Sequence, residues 1–208
     1  MKKLFTICAI LAMTALTGCG KSNETATTTP AQTTTGQAET TTGQAETTTE
    51  AKKAEYETLE KKDISSVGEL NSVYETDDYK INLMEGWNQQ ESNGAALFTF
   101  GDKEVRIGIT SSTLEKSGTL EECIENLCIL YEAVDNYSIT GIGDITVNGL
   151  EGKVIQYKMK AEDFSYTGYQ MIIKGAKSMF VITFVANTEL YDGYVNQADD
   201  IISTFVEK

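Results

Sequence analysis

Residues 20–50 contain no side chain that is both larger and more apolar than alanine, and this limits where a folded core can form. The segment is rich in threonine and carries the string TTTGQAE twice, at 33–39 and at 40–46. With so little apolar surface to bury, the entropy cost of ordering is not offset, and we expect residues 19–50 to be a disordered tether. The seven-residue period does not predict a coiled coil, because it offers no apolar a and d positions.

Residues 1–18 have the pattern of a secretory signal peptide. Lys2 and Lys3 precede an apolar run of 13 residues, Leu4 to Leu16, whereas a membrane-spanning helix needs about 20. The sequence Leu16-Thr17-Gly18-Cys19 resembles the lipobox of bacterial lipoproteins, in which the cysteine is diacylated and the signal is cut just before it. The resemblance implies a lipid anchor at Cys19 and a domain on the extracytoplasmic face of the cell membrane. A plain secretion signal followed by a chance cysteine is the alternative.

The charge balance argues against several classes of function. The chain has 31 acidic residues against 17 lysines and arginines, no histidine, and a formal net charge of −14. Nucleic-acid binding needs a basic surface, and none is present in this sequence. Carboxylate catalysis would need the acidic pairs Asp77-Asp78, Glu162-Asp163 and Asp199-Asp200 to converge, but solvated turns and helix surface explain all three pairs. We expect no catalytic residues and no cofactor, because the chain has no histidine to act as a base, no nucleophile motif and no phosphate loop. We expect no metal, because no loop has the ligand spacing of a calcium site.

Cys123 and Cys128 are the cysteines that remain after the signal and Cys19. They lie five residues apart in a predicted helix, about 7.5 Å apart along its axis and on different sides of it. Bridged cysteines rarely have Cα atoms more than about 6.8 Å apart, so we expect two thiols rather than a disulfide.

From about residue 72 onward, apolar runs alternate with turn signals, as in a domain rich in β-strands. Consecutive hairpins predict a largely antiparallel sheet. The predicted hairpins join Val73–Glu75 to Tyr79–Leu83, Ala95–Phe100 to Val105–Thr113, Ile139–Val147 to Leu150–Met159, and Tyr166–Lys174 to Ser178–Ala186. Met179–Val185 has apolar residues on both of its alternating faces, which predicts a strand in the interior of the sheet.

Local signals add detail to this sheet. Asn148-Gly149 is a strong hairpin turn signal, and Gly141-Ile142-Gly143 predicts a bulge or bend rather than a phosphate loop. Arg106, Gly108 and Thr110 share the polar parity of their strand, opposite the apolar parity of Val105, Ile107 and Ile109. Residues 51–71 are charged and transitional, either a frayed helix or an arm lying on the domain, and we assign them no function.

Two amphipathic helices are predicted. The first covers Thr119–Asp135 and begins with a capping box formed by Thr119 and Glu122. The second covers about Thr188–Phe205, with Asn187 or Thr188 as its N-cap. Because the central strand is apolar on both faces, we expect one helix on each face of the sheet.

Several strings within residues 72–208 resemble the PsbP-like superfamily, which includes an extrinsic photosystem subunit, a nuclear Ran-binding factor and many small bacterial lipoproteins. Tyr79–Leu83 followed by Glu85-Gly86-Trp87 is similar to the opening strand and Gly-Trp turn of that group, although Met84 stands where members often have proline. Ala198–Phe205 is similar to its closing helix. The resemblance implies an α+β domain, an antiparallel sheet with helices packed on both faces, in a PsbP-like α/β sandwich. It also implies a non-catalytic docking module, although the fold alone selects no function.

These inferences predict a lipid-anchored lipoprotein that binds an unknown extracytoplasmic protein or cell-envelope component. The candidate binding surface is the set of turns around Trp87, Gly101-Asp102, Phe164 and Tyr166, because loops on a rigid scaffold commonly carry function. For Trp87 we favour the alternative that a lone tryptophan after a glycine turn fills the edge of the core. The rival functions are a small-molecule binding receptor and, less favoured, a hydrolase that uses carboxylates.

Overall fold

The computed structural model describes residues 56–65, 70–92, 95–161 and 164–208. The predicted signal peptide, the lipid site at Cys19, the tether, Glu162 and Asp163 lie outside the described residues. Within the described ranges, no helix is both long enough and apolar enough to cross a membrane.

Strands predominate over helices in the described part of the chain. The helices are α1 (Leu114–Ser117), α2 (Leu120–Glu132) and α3 (Thr188–Ile202). The strands are β1 (Glu57–Ile64), β2 (Ser72–Glu75), β3 (Tyr79–Leu83), β4 (Trp87–Ser92), β5 (Ala95–Phe100), β6 (Val105–Thr113), β7 (Tyr137–Val147), β8 (Leu150–Ala161), β9 (Phe164–Lys174), β10 (Ser178–Asn187) and β11 (Val206–Glu207).

Eight of these strands form one sheet in the order β1-β7-β8-β9-β10-β6-β5-β4, and β11-β3-β2 form a second sheet. The interior position of β10 confirms the prediction from its apolar sequence. The prediction of an antiparallel sheet needs a correction, because β1 pairs with β7 in parallel and the large sheet is therefore mixed.

The structure places β1 in the sheet, within the stretch where the sequence suggested a frayed helix or an arm. Six of its eight side chains are exposed, so the strand shows no alternation of apolar and polar residues. Its backbone pairing with β7 sets its conformation, and such pairing leaves no local sequence signal.

The predicted hairpin turn and bulge are confirmed. Asn148 and Gly149 both have positive φ, 48° and 82°, as a two-residue hairpin turn requires. The pairing of β7 with β8 shifts register between Ile139 and Gly141, which marks the bulge.

Both predicted helices are present, and both are shorter at the C-terminal end than predicted. Thr119 and Glu122 form the predicted capping box of α2, with each side chain bonded to the other residue's backbone amide. Asn187 caps α3 by accepting a hydrogen bond from the amide of Glu189. After α3 the chain turns and adds β11 to the edge of β3.

Alternate side chains of β10 enter two separate apolar clusters. Phe180, Ile182 and Phe184 belong to the larger cluster, which includes the buried residues of α3 and of β3. Met179 and Val181 belong to the smaller cluster, which includes the buried residues of α2. This alternation is the period of two that a strand in the interior of a sheet must show.

Candidate functional site

The two faces of β6 differ as its sequence predicted. Val105, Ile107 and Ile109 are at most 1% exposed and belong to the larger cluster. Arg106 and Gly108 point the other way and are half-buried. The face of β6 that carries Gly108 is therefore where the large sheet is less completely covered.

Gly108 marks an uncovered part of this face. Its cross-strand partners are Leu97 on β5 and Thr183 on β10, both half-buried. A Cβ atom built on Gly108 would meet no described atom within 4 Å, so a side chain there would enter open space. We call the surface formed by Leu97, Thr99, Arg106, Gly108, Thr110 and Thr183 the open face.

Thr110, on the same face of β6, carries a buried polar group that is not satisfied by the described residues. Its side chain lies on the same parity as Gly108, and the residue is 9% exposed. The hydroxyl oxygen is buried and has no hydrogen-bond partner within the described part of the chain. A buried hydroxyl without a partner costs about 1–3 kcal/mol.

A buried polar network holds Thr183 from the side of α2. The Gln170 amide donates to the Thr183 hydroxyl at 2.9 Å, and the Tyr131 hydroxyl of α2 donates to the Gln170 carbonyl at 3.0 Å. Gln170 is only 1% exposed, so its amide group is held in place. Sequence analysis missed this residue, although a glutamine within the buried strand Tyr169–Ile173 was a visible signal.

Trp87 is not an exposed platform. It is 5% exposed and packs against Phe100 with ring centroids 5.8 Å apart, which confirms that it fills the edge of the core. Phe100 in turn contacts Tyr194 of α3, and the Lys103 ammonium donates to the Tyr194 hydroxyl. Gly86 makes room for Phe100, since a Cβ atom there would lie 2.8 Å from that ring.

Of the other two predicted surface residues, one is exposed and one is not. Phe164 is 43% exposed, whereas Tyr166 is 8% exposed and packs in a small cluster with Met159 and Ala161. The expectation that Tyr166 is exposed is therefore wrong, whereas the burial favoured for Trp87 is confirmed, because neighbouring strands provide apolar partners for both rings. Three strands separate β4 from β9, a span of about 19 Å, so the structure does not bring Trp87 and Tyr166 together.

Asp199 organises a second polar cluster, on α3. It accepts a hydrogen bond from the Tyr169 hydroxyl at 2.8 Å and forms an ion pair with Lys62 of β1. Burial, followed by the charge of Asp199, raises the pKa of Tyr169 well above its ordinary value. Burial and the same carboxylate raise the pKa of Tyr191 to about 12. Both phenols therefore stay protonated near neutral pH, and Tyr169 acts as a fixed donor.

The acidic pairs that the structure describes, Asp77-Asp78 and Asp199-Asp200, do not form a cluster of ligands. Asp77 and Asp78 are both exposed, and the Asp78 carboxylate accepts a hydrogen bond from the Ser111 hydroxyl at 2.9 Å. Within the described ranges, no group of three or more acidic or cysteine side chains is placed to hold a metal ion.

No protein-family model matches the sequence, and no curated protein matches it. Solved structures do match. The cyanobacterial PsbP of Synechocystis sp. PCC 6803 matches with a TM-score of 0.52 at 13% identity, over 68% of this chain and 95% of that one. The fold is PsbP-like.

Two further structures extend the comparison. LpqN of Mycobacterium tuberculosis, described as involved in cell envelope biogenesis, matches with a TM-score of 0.52 at 12% identity, over 62% of this chain and 83% of that one. A protein of Bacteroides thetaiotaomicron matches with a TM-score of 0.45 at 16% identity, over 62% of this chain, and the chain spans 45% of that protein's length. At these identities the PsbP-like domain is defined by its fold alone.

Proposed function

We propose that this chain is a lipid-anchored extracytoplasmic protein whose PsbP-like domain binds an extracytoplasmic protein or cell-envelope component and does no chemistry of its own. The observation that carries the proposal is the open face, where a side chain added at Gly108 would enter open space beside the half-buried Leu97 and Thr183. The residues around this space are threonines, Arg106 and the apolar Leu97. Such a mixture suits recognition of a polar partner.

The arrangement of the helices supports this location for the binding surface. Because the α2 and α3 clusters take alternate residues of β10, we infer that each helix covers one face of the large sheet. Helix α2 contacts β7, β8 and β9, which lie on the other side of β10 from β5 and β4. The open face then lies beside α2, on strands that are rigid because their opposite face is core.

The involvement of LpqN in cell envelope biogenesis and the lipobox-like sequence at Cys19 are both compatible with a role at the envelope. The anchor is tested separately. The Cys19→Ala variant should be released from the membrane or persist as uncut precursor. Processing and membrane retention equal to those of the unchanged protein would contradict the anchor.

The binding surface is tested with a glycine substitution that fills it. Gly108→Leu would place a side chain in open space, so folding should persist while binding is blocked. Gly193→Leu is the matched control, because Gly193 on α3 also has no described atom within 4 Å of an added Cβ. Proximity labelling on intact cells should lose specific partners with Gly108→Leu and retain them with Gly193→Leu. The same labelling pattern for both variants would contradict the open face as the binding surface.

The rival function, a hydrolase that uses carboxylates, is tested by replacing the described acidic turn residues. If Asp77 and Asp78 are solvated turn residues, their replacement by asparagine leaves both the labelling pattern and the cellular phenotype unchanged. Loss of the phenotype in that variant, together with loss of a measurable turnover, would favour the hydrolase. Recovery of a small molecule from the purified protein, lost with Gly108→Leu, would favour a receptor.

A further inference from the structure

Strand β1 contributes little to the core. Of its eight side chains, only Leu59 is half-buried and only Ile64 is buried, and the other six are exposed. It is also the one strand of the large sheet whose pairing is parallel, a geometry slightly less stable per residue than antiparallel pairing. Backbone hydrogen bonds and two apolar side chains therefore provide most of the free energy that holds β1 in the sheet.

The edge of β7 is shaped to receive this strand. Gly141 and Gly143 leave a recess in which the Leu59 side chain lies. A Cβ atom on Gly141 would come within 2.6 Å of Leu59 Cδ2, and one on Gly143 within 2.7 Å of Leu59 Cβ. The recess thus selects an extended segment with a leucine at one particular register position.

Apart from Leu59 and Ile64, which contact the larger apolar cluster, the contacts that β1 and the preceding Tyr56 make with the domain are polar. The Tyr56 hydroxyl donates to Glu132 of α2, Lys62 pairs with Asp199 of α3, and the amide of Asn148 donates to the Ile64 carbonyl at 3.0 Å. An exposed side-chain pair such as Tyr56–Glu132 contributes about 0–1 kcal/mol. A peripheral strand held in this way opens at a lower free energy than the whole domain.

We propose that the outer edge of β7 is a strand-docking surface, and that its alternative occupant is β1 of a second copy of this chain. The recess matches Leu59, which every copy carries, so exchange of β1 between two copies re-forms the same contacts. A reciprocal exchange closes with two-fold symmetry and leaves neither β7 edge unpaired.

The predicted tether places copies where such exchange is favoured. Residues 19–50, as a flexible chain, would reach roughly 30 Å. Two chains anchored on one membrane within that reach have an effective concentration in the millimolar range. This step rests on the proposed lipid anchor, whereas exchange in solution does not.

The test pairs two single-cysteine additions in a soluble chain of residues 19–208 that carries Cys19→Ser. Asp63 and Thr146 are facing Cα partners in the β1–β7 pair, and neither is buried. Chains carrying Asp63→Cys are mixed with chains carrying Thr146→Cys and incubated under mild oxidation. Mass spectrometry of the reducible heterodimer should identify a bond between the two introduced cysteines. The control mixture replaces Thr146→Cys with Gly193→Cys.

Exchange predicts a heterodimer yield several-fold above that of the control, with faster formation when Leu59→Ala is added to both chains, because opening of β1 limits the rate. A yield no greater than the control, with and without Leu59→Ala, would overturn the proposal. Since the protein is not lipidated and the open face is unchanged, that result would leave the proposed anchor and binding surface standing.

Discussion

The carboxylate of Glu207 accepts a hydrogen bond from the backbone amide of Lys177 at 2.9 Å. The amides of the residues on either side, Ala176 and Ser178, donate to the same carboxylate. Three successive amides form a nest for an anion, and here the anion is a side chain of β11. Gly175 completes the fit, because a Cβ atom there would lie 2.5 Å from Glu207. The C-terminal segment is thus fastened to the β9–β10 turn.

This contact predicts a pH-dependent contribution to stability. Burial raises the pKa of Glu207, but the three amide hydrogen bonds and the charge of Lys177 outweigh it and hold the pKa below its ordinary value of 4.5. The contribution is therefore present above pH 4.5 and is lost as the pH falls through the pKa of the folded state. At pH 7, Glu207→Gln should lower the thermal midpoint by roughly 2–4 °C.

Thermal melts of both proteins from pH 7 to pH 3 check this prediction, and the difference between the midpoints should shrink as the pH falls. Glu125→Gln, at an exposed position on α2, serves as the control. A difference that stays constant across the range would show that the carboxylate charge is not what the nest stabilises.

The recess on β7 predicts unequal costs for two glycine substitutions in strands. Gly143→Ala should destabilise the domain by about 1–3 kcal/mol, because the new methyl group would overlap Leu59 and its carbonyl oxygen, 2.9 Å away. Gly108→Ala should be close to neutral, since its methyl group meets no described atom. Urea unfolding of the two variants measures the difference, and equal costs would contradict the packing of β1 on β7.

The polar network beneath α2 predicts non-additive effects. Tyr131→Phe removes the donor to Gln170 and should cost about 1–3 kcal/mol, because the buried amide carbonyl loses its partner. Gln170→Leu removes the acceptor, and the double variant should cost less than the sum of the two single changes. Chemical denaturation of all four proteins gives the coupling energy. Additive costs would mean that the two side chains do not depend on each other.

The two helical cysteines should differ in reactivity. Neither is in a disulfide. Cys123 is 2% exposed and donates to the Ser117 carbonyl, whereas Cys128 is half-buried, so a small alkylating reagent should modify Cys128 first in the native protein. After denaturation without reductant, mass spectrometry should find both residues alkylated. Early modification of Cys123 would contradict its burial on the face of α2 that packs on the sheet.

Several elements followed from the sequence because their signals are local. The capping box at Thr119, the turn at Asn148-Gly149 and the interior strand at Met179–Val185 each depend on residues within a few positions of one another. The sequence also predicted that Arg106 and Ile107 lie on the polar and the apolar face of their strand, since side chains of a strand alternate between its faces. The Gly-Trp turn at Gly86-Trp87 also indicated the PsbP-like fold that the structural comparison supports.

Features that depend on the pairing of segments far apart in the chain could not be predicted from such local signals. Nothing near Glu57–Ile64 indicates a strand, because the partner that makes it one is β7, about 80 residues further along the chain. Sequence analysis placed Trp87 and Tyr166 on one candidate surface, but three intervening strands keep them apart, and neighbouring rings and strands bury both.

The sequence by itself determined where a core can form, the opposite characters of the two faces of β6 and the N-terminal ends of α2 and α3. Only the tertiary structure decided that the polar face of β6 stays open at Gly108, that Glu207 fills the nest of a distant turn, and that Leu59 lies in the recess of β7. The reason is physical: local conformation and burial preference are set by side chains close in sequence, whereas coverage and register depend on which distant segments meet.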